Sequence, residues 1–285
     1  MMTSNQAVGL LSQALSAHDY PTSYLHELTK SLGIKVGDAQ DLAILQSEKV
    51  QAILTSIVAQ VPVEYIVREA LFYERRYKVS PDVLIPRFDT EKLVKMSLEV
   101  AQLITEPLTI IDIGTGSGAI IVTLAKELES RNDIEFLAMD ISPKALAIAK
   151  ENAEKHSVQQ VIAFQQADTF PKDEQSGPFL PKTTRVLLVS NPPYISEKNY
   201  AALPNSVKDY EPALALLEQP DFLERLAAYI KFLQNRRKLV HTLLEYCDSK
   251  GTVVQISIPS ENDFLQTVLQ EKKQAVLETL RSVGL

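Results

Sequence analysis

From residue 107 onward the sequence alternates short apolar, β-branched runs with helix-period segments, and this alternation constrains the fold more than any other feature. Strands are expected near 108–113, 134–139, 160–166, 185–190 and 252–258. Helices are expected near 118–130, 143–156, 221–247 and 261–282. Strand–helix repeats pack helices on both faces of a parallel sheet, so the fold class is α/β, a doubly wound Rossmann-like sheet. Ligands of such sheets sit at the carboxyl ends of the strands. The polar stretch 171–184 and the long connection 195–220 fall at those ends.

The first strand runs through Ile110-Ile111-Asp112-Ile113 into Gly114-Thr115-Gly116-Ser117-Gly118. Dinucleotide-binding turns carry glycines at positions one, three and six. Here they stand at one, three and five, which argues against a nicotinamide cofactor. The spacing suits a ligand without a pyrophosphate that slides close over the turn. S-adenosylmethionine is such a ligand, and its carboxylate can meet the N–H groups of the turn. The alternative is that the glycines serve packing only. The second strand ends at Asp140, placed to accept both ribose hydroxyls. Its other reading is an N-cap for the helix starting near Pro143, a job Ser142 can also do. The third strand ends in Asp168-Thr169-Phe170. Asp168 can accept from an adenine amine while Thr169 or Phe170 borders the ring; a turn-forming aspartate is the alternative.

The fourth strand, Arg185 to Ser190, stops at Asn191-Pro192-Pro193-Tyr194. Each residue before a proline is pushed out of the helical region, and proline offers a carbonyl but no N–H. The result is a stiff loop with one amide side chain, exposed carbonyls and an aromatic ring. Asn191 Oδ1 and the Pro192 carbonyl can each accept one hydrogen of a planar –NH2 group, with Tyr194 against its face. A strand ending in a proline turn beside a packed tyrosine is the plainer reading.

The 285 residues are 45% hydrophobic and 23% charged, as in a soluble globular protein. A net charge of −7 disfavours an obligatory nucleic-acid binder. Cys247 is the lone cysteine and the four histidines are scattered, so neither a disulfide nor a metal is expected. No signal peptide and no membrane span is recognised, which places the chain in the cytoplasm. Leucines and isoleucines recur at threes and fours over residues 3–60, predicting three or four short helices that end near Arg68. The expected division is a helical domain over 1–69 as a substrate platform, a linking hairpin over 70–86, and a catalytic domain over 87–285. Asp89 or Thr90 is expected to cap the helix after the hairpin, with Glu91 in its first turn.

Taken together, these pieces resemble the release-factor glutamine methyltransferases, the HemK-like family. The resemblance rests on Pro62-Val63-Glu64-Tyr65-Ile66, on Val79 to Arg87 with Asp89-Thr90-Glu91, and on the Gly114–Gly118 turn. Asp140-Ile141-Ser142-Pro143, Asn191 to Ile195 and Tyr210 to Leu216 complete it. It covers about residues 62–216. Phe88 stands where the family usually has proline. The resemblance implies methylation of the side-chain amide nitrogen of the glutamine in a Gly-Gly-Gln motif of peptide chain release factors. S-adenosylmethionine would be the donor and S-adenosylhomocysteine the product. It implies cofactor contacts from Gly114, Thr115, Gly116, Ser117, Gly118, Asp140, Ile141, Asp168, Thr169 and Asn191. It implies substrate contacts from Asn191, Pro192, Pro193, Tyr194 and Glu211, with Asn191, Pro192 and Tyr194 catalytic.

Two other readings compete. One is a nucleic-acid amino-methyltransferase, for which the sequence offers no basic run. The other is a degenerate, non-catalytic cofactor-binding protein. The resembled fold would continue into a last antiparallel hairpin that this sequence does not carry. Strand 252–258 is then expected beside strand 185–190 with an uncovered outer edge, favouring self-association.

Overall fold

The computed structural model describes residues 4–18, 20–21, 23–31, 48–167, 181–219, 222–236, 238–247 and 253–258. Helices α1 (Ser4–Ala17), α2 (Tyr24–Ser31), α3 (Glu48–Val58) and the short α4 (Val63–Val67) lead the chain. Leu11, Leu15, Leu28, Ile57 and Val63 form their common core. Two tyrosines tie the group together: the Tyr20 hydroxyl donates to the Val61 carbonyl and the Tyr24 hydroxyl to Glu64. Arg68 ends α4 in a left-handed conformation, which turns the chain out of the helix at the expected place.

Strands β1 (Glu69–Phe72) and β2 (Arg75–Lys78) then pair antiparallel. Their turn residues, Tyr73 and Glu74, both have positive φ, the geometry whose twist suits a two-residue hairpin. The hairpin is therefore tighter than the 70–86 expected. Pro81 and Pro86 cannot donate to a ladder, and residues 79–86 run on without regular structure. The Tyr65 hydroxyl holds that run by donating to the Val83 carbonyl at 2.6 Å.

The remaining described elements are α5 (Thr90–Leu103), β3 (Leu108–Ile113), α6 (Ala119–Glu127), β4 (Ile134–Asp140), α7 (Pro143–Lys155), β5 (Ile162–Gln166) and β6 (Arg185–Ser190). They continue with three short helices, α8 (Glu197–Ala201), α9 (Asn205–Lys208) and α10 (Ala213–Leu216), then α11 (Phe222–Asn235), β7 (Leu239–Cys247) and β8 (Val253–Ile258). The sheet order is β5-β4-β3-β6-β7-β8, parallel except for β8. All six residues of β3 are buried, as a central parallel strand covered on both faces requires. Successive side chains alternate between two cores. Ile110 joins Leu93, Leu124 and Ala153 on one face. Ile111 and Ile113 join Leu226, Tyr229 and Leu233 of α11 on the other.

Two expectations are corrected. The helix expected over 221–247 stops at Asn235, and residues 239–247 are strand β7. Burial explains the switch. Val240, Thr242, Leu243, Leu244 and Glu245 are all buried and His241 is half-buried, so both faces of the run are covered, which fits an interior strand and not a one-sided helix. Consequently β7, not the 252–258 strand, lies beside β6, with Arg185 opposite Leu239 and Ser190 opposite Leu244. β8 pairs antiparallel with β7, from Thr242 opposite Ile258 to Cys247 opposite Val253. The sheet thus ends in an antiparallel pair, in which β7 comes from residues expected to be helical and β8 from the expected 252–258 strand. The expected helix 261–282 lies outside the described residues.

Candidate active site

A cavity of about 470 Å³ opens at the carboxyl ends of β3, β4 and β6. Gly114, Gly116, Asp140, Ile141, Asn191, Pro192 and Pro193 line it, together with residues 81–84, Pro212, Leu214, Phe222 and Arg225. The chain thus brings to one wall residues from the glycine turn, the end of β4 and the proline loop. Among the described residues, the lining does not include Thr115, Ser117, Gly118, Tyr194 or Glu211.

The glycines of the turn divide their work. Gly114 and Gly116 are left-handed, with φ of +73° and +55°, and a Cβ on either would meet nothing within 4 Å. The packing reading holds for Gly118. A Cβ there would come 3.0 Å from Ala149 Cβ on α7. Most of the turn's N–H groups are engaged inside the protein. Gly114 and Thr115 donate to the Met139 carbonyl, and Gly118 donates to the Thr115 carbonyl. Gly116 donates to Asp140 Oδ2 at 2.8 Å. This corrects the expectation that these donors stand open to a ligand carboxylate. The Thr115 hydroxyl donates to Asp112, and the Ser117 carbonyl accepts from the Asn152 amide.

Asp140 is locked in place. Oδ2 accepts from Gly116, and Oδ1 accepts from the Ser142 N–H at 2.9 Å. A carboxylate has about four acceptor sites, so Asp140 keeps capacity for a further donor. Burial pushes its pKa up, opposed by the backbone N–H bonds of Ser142, Gly116 and Ile141. The competing cap reading is resolved by Ser142, which is the N-cap of α7; its hydroxyl accepts from Ala145 and Pro143 follows at the first helical position. Behind the turn, Asp112 is fully buried, and burial raises its pKa to about 7.

The proline loop is supported from two sides. The Asn191 amide nitrogen donates to Thr90 Oγ1 at 3.1 Å, and the Thr90 hydroxyl donates to Glu245 Oε1 at 3.0 Å. Thr90 therefore does not cap its own helix, and Asp89, at the N-cap position, makes no side-chain cap either. Glu211 is also placed differently from expectation. It is 4% exposed, forms an ion pair with Arg87 and accepts from the Ile85 N–H at 3.2 Å. Its carboxylate braces residues 85–87 against the α10 segment, and Glu211 is not among the residues that line the cavity. Tyr194 is half-buried.

Asp168, Thr169 and Phe170 lie outside the described residues. Three functional supports escaped sequence reading: Thr90 as a partner of Asn191, Glu245, and Asn152. The available signals were a lone acid inside the apolar run Leu243-Leu244-Glu245 and an asparagine inside a helix. Among the described residues no group of three or more His, Cys, Asp or Glu could hold a metal ion, and no helix is long and apolar enough to cross a membrane.

A cavity at the switch in a parallel sheet, bordered by a glycine turn and a strand-end acid, is where a doubly wound α/β fold binds its ligand. Residues 104–179 match the family model described as a methyltransferase domain. A release factor glutamine methyltransferase of Nitratidesulfovibrio vulgaris is 43% identical over 169 residues, which cover 59% of this chain and 54% of that protein. One of Bacillus anthracis is 32% identical over 209 residues, covering 73% of this chain and 70% of the relative. One of Fusobacterium nucleatum is 34% identical over 223 residues, covering 78% and 57%. The chain belongs to the release factor glutamine methyltransferase family. It spans little more than half the length of several curated relatives it matches.

Proposed function

We propose that this protein transfers a methyl group from S-adenosylmethionine to the side-chain amide nitrogen of the glutamine in the Gly-Gly-Gln motif of a peptide chain release factor. The supporting observation is that the glycine turn, Asp140 and the Asn191-Pro192 loop line one cavity. Residues on this wall fit the cofactor. The open space at Gly114 and Gly116 admits a close-lying ligand, and the locked Asp140 carboxylate retains acceptor capacity for a ribose diol. Ile141 would border the same moiety. When bound, S-adenosylmethionine supplies an electrophilic methyl carried on sulfur.

The chain's own residues supply positioning and charge stabilisation. Asn191 Oδ1 and the Pro192 carbonyl accept the two hydrogens of the substrate amide. That orients its weakly nucleophilic lone pair and stabilises positive charge developing on nitrogen. Pro193 and Tyr194 shape the loop around the amide plane. The helical segment through residue 69 serves as a platform for the protein substrate, residues 70–86 link it, and residues 87–285 carry catalysis. A release factor substrate places the protein in the cytoplasm.

The test is methyl transfer from labelled S-adenosylmethionine to a purified release factor, compared with a Gly-Gly-Ala version. Label on the glutamine version alone supports the proposal. Label on DNA or RNA instead would favour the nucleic-acid reading. Binding without any transfer would favour the non-catalytic one.

A further inference from the structure

We infer that Thr90 and Glu245 form a relay that sets which end of the Asn191 amide faces the cavity. Asn191 directly follows β6 and Glu245 lies one residue beyond Leu244, the partner of Ser190, so the sheet register brings the two side by side. Thr90 starts α5 and is buried between them, at 4% exposure. Glu245 is fully buried. The Thr90 hydroxyl has one proton, and that proton is donated to Glu245 Oε1. Toward Asn191 the same oxygen can therefore only accept. An asparagine presents an –NH2 or a carbonyl oxygen at nearly the same positions, and only its partners decide which. Here the partner requires the nitrogen to point at Thr90, at 3.1 Å, and Oδ1 becomes the free end.

This orientation is what an acceptor of substrate N–H groups needs. The reversed amide would offer a donor to a donor. The relay also adds polarity. Donation to Glu245 strengthens the Thr90 hydroxyl as an acceptor, and an amide that donates through nitrogen carries more negative charge on its oxygen. Glu245 thus acts on the reacting amide through Thr90 and Asn191 without touching it. Thr90 and Glu245 are positioning residues. The inference rests on the proposed glutamine methylation, since it gives Oδ1 its task.

Thr90→Val and Thr90→Ser separate this role from packing. Valine keeps the shape and loses the hydroxyl; serine keeps the hydroxyl and loses a methyl. The relay requires Thr90→Val to lower kcat on a release factor roughly tenfold to a hundredfold. S-adenosylhomocysteine affinity should stay within about twofold, and Thr90→Ser should recover most of the rate. Glu245→Gln, which keeps one acceptor oxygen in place of two, should fall between parent and Thr90→Val. A packing role predicts the reverse order, with valine harmless and serine impaired, and that result would overturn the inference. If the parent transfers no methyl to the release factor, the proposed substrate fails and a second readout decides the relay. The side-chain amide protons of Asn191, assigned by comparison with Asn191→Ala, should exchange slowly in the parent and in Thr90→Ser and rapidly in Thr90→Val. Equal exchange in all three proteins contradicts it.

Discussion

Asn152 holds the backbone of Lys78 from both sides: its Oδ1 accepts from the Lys78 N–H at 2.6 Å and its Nδ2 donates to the Lys78 carbonyl at 2.9 Å. The same Nδ2 donates to the Ser117 carbonyl at 2.8 Å. One buried amide on α7 thereby joins the β1–β2 hairpin to the glycine turn. Removing it leaves buried backbone groups without partners. Asn152→Ala should cost about 2–3 kcal/mol of stability, read as a lower urea midpoint with unchanged slope. A loss below about 0.5 kcal/mol would mean that the hairpin is held by its other contacts.

Asp112 makes stability pH-dependent. Burial first, then repulsion from Asp140, raises its folded-state pKa to about 7, against an opposing hydrogen bond from Thr115. An unfolded aspartate titrates near about 3.9. Between these values the folded chain holds a proton that the unfolded chain has lost. This contribution is therefore full below about pH 4 and is lost as pH rises toward about 7, at up to about 1.4 kcal/mol per unit. Asp112→Asn can still accept from the Thr115 hydroxyl and carries no charge. Its stability relative to the parent should rise between pH 5 and pH 8. A difference that stays constant across that range would contradict the assignment.

How far the sequence could be read depended on how local each signal was. β3 and β6 are short apolar runs buried on both faces and bounded by glycine or proline, so each was legible with its strand-end residues. β7 was not. It follows α11 without an intervening glycine or proline, and its run Leu239–Cys247 is compatible with either period. That misreading also hid Glu245 and put the 252–258 strand beside β6. Thr90 was legible as a helix start, but its partners lie 101 and 155 residues away. No local pattern encodes such contacts. Glu211 was visible as part of a motif, yet only the fold shows its carboxylate occupied by Arg87 and Ile85.

Asp140 should govern cofactor affinity. If its remaining acceptor capacity takes the ribose hydroxyls, Asp140→Ala should weaken S-adenosylhomocysteine binding by about 2–4 kcal/mol. Asp140→Asn, which keeps one acceptor oxygen, should lose less. Calorimetry is the measurement, with thermal melting alongside because Gly116 and Ser142 also lose an acceptor. Unchanged affinity in a folded Asp140→Ala protein would confine Asp140 to bracing the turn.

Asn191 should govern rate. Asn191→Ala removes the acceptor that stabilises charge in the transition state, so transfer should slow about a hundredfold or more. Cofactor affinity should change far less. Rapid-quench single turnovers with saturating cofactor measure the chemical step directly. Near-normal turnover in the alanine protein would refute the acceptor role.

Phe88 is the last prediction, because the fold exposes it beside the site. Its side chain is 77% exposed, two residues before Thr90 and next to Arg87, which is held by Glu211. Leu214, half exposed, lines the cavity itself. An exposed aromatic ring on a braced loop contributes little to folding and offers apolar contact to a protein substrate. Phe88→Ala should leave stability within about 0.5 kcal/mol and S-adenosylhomocysteine affinity unchanged. It should raise KM for the release factor several-fold, with kcat preserved, since binding lost equally in ground and transition states appears in KM alone. Leu214→Ala should raise KM in the same direction. An unchanged KM in both variants would move the docking surface away from this side of the cavity.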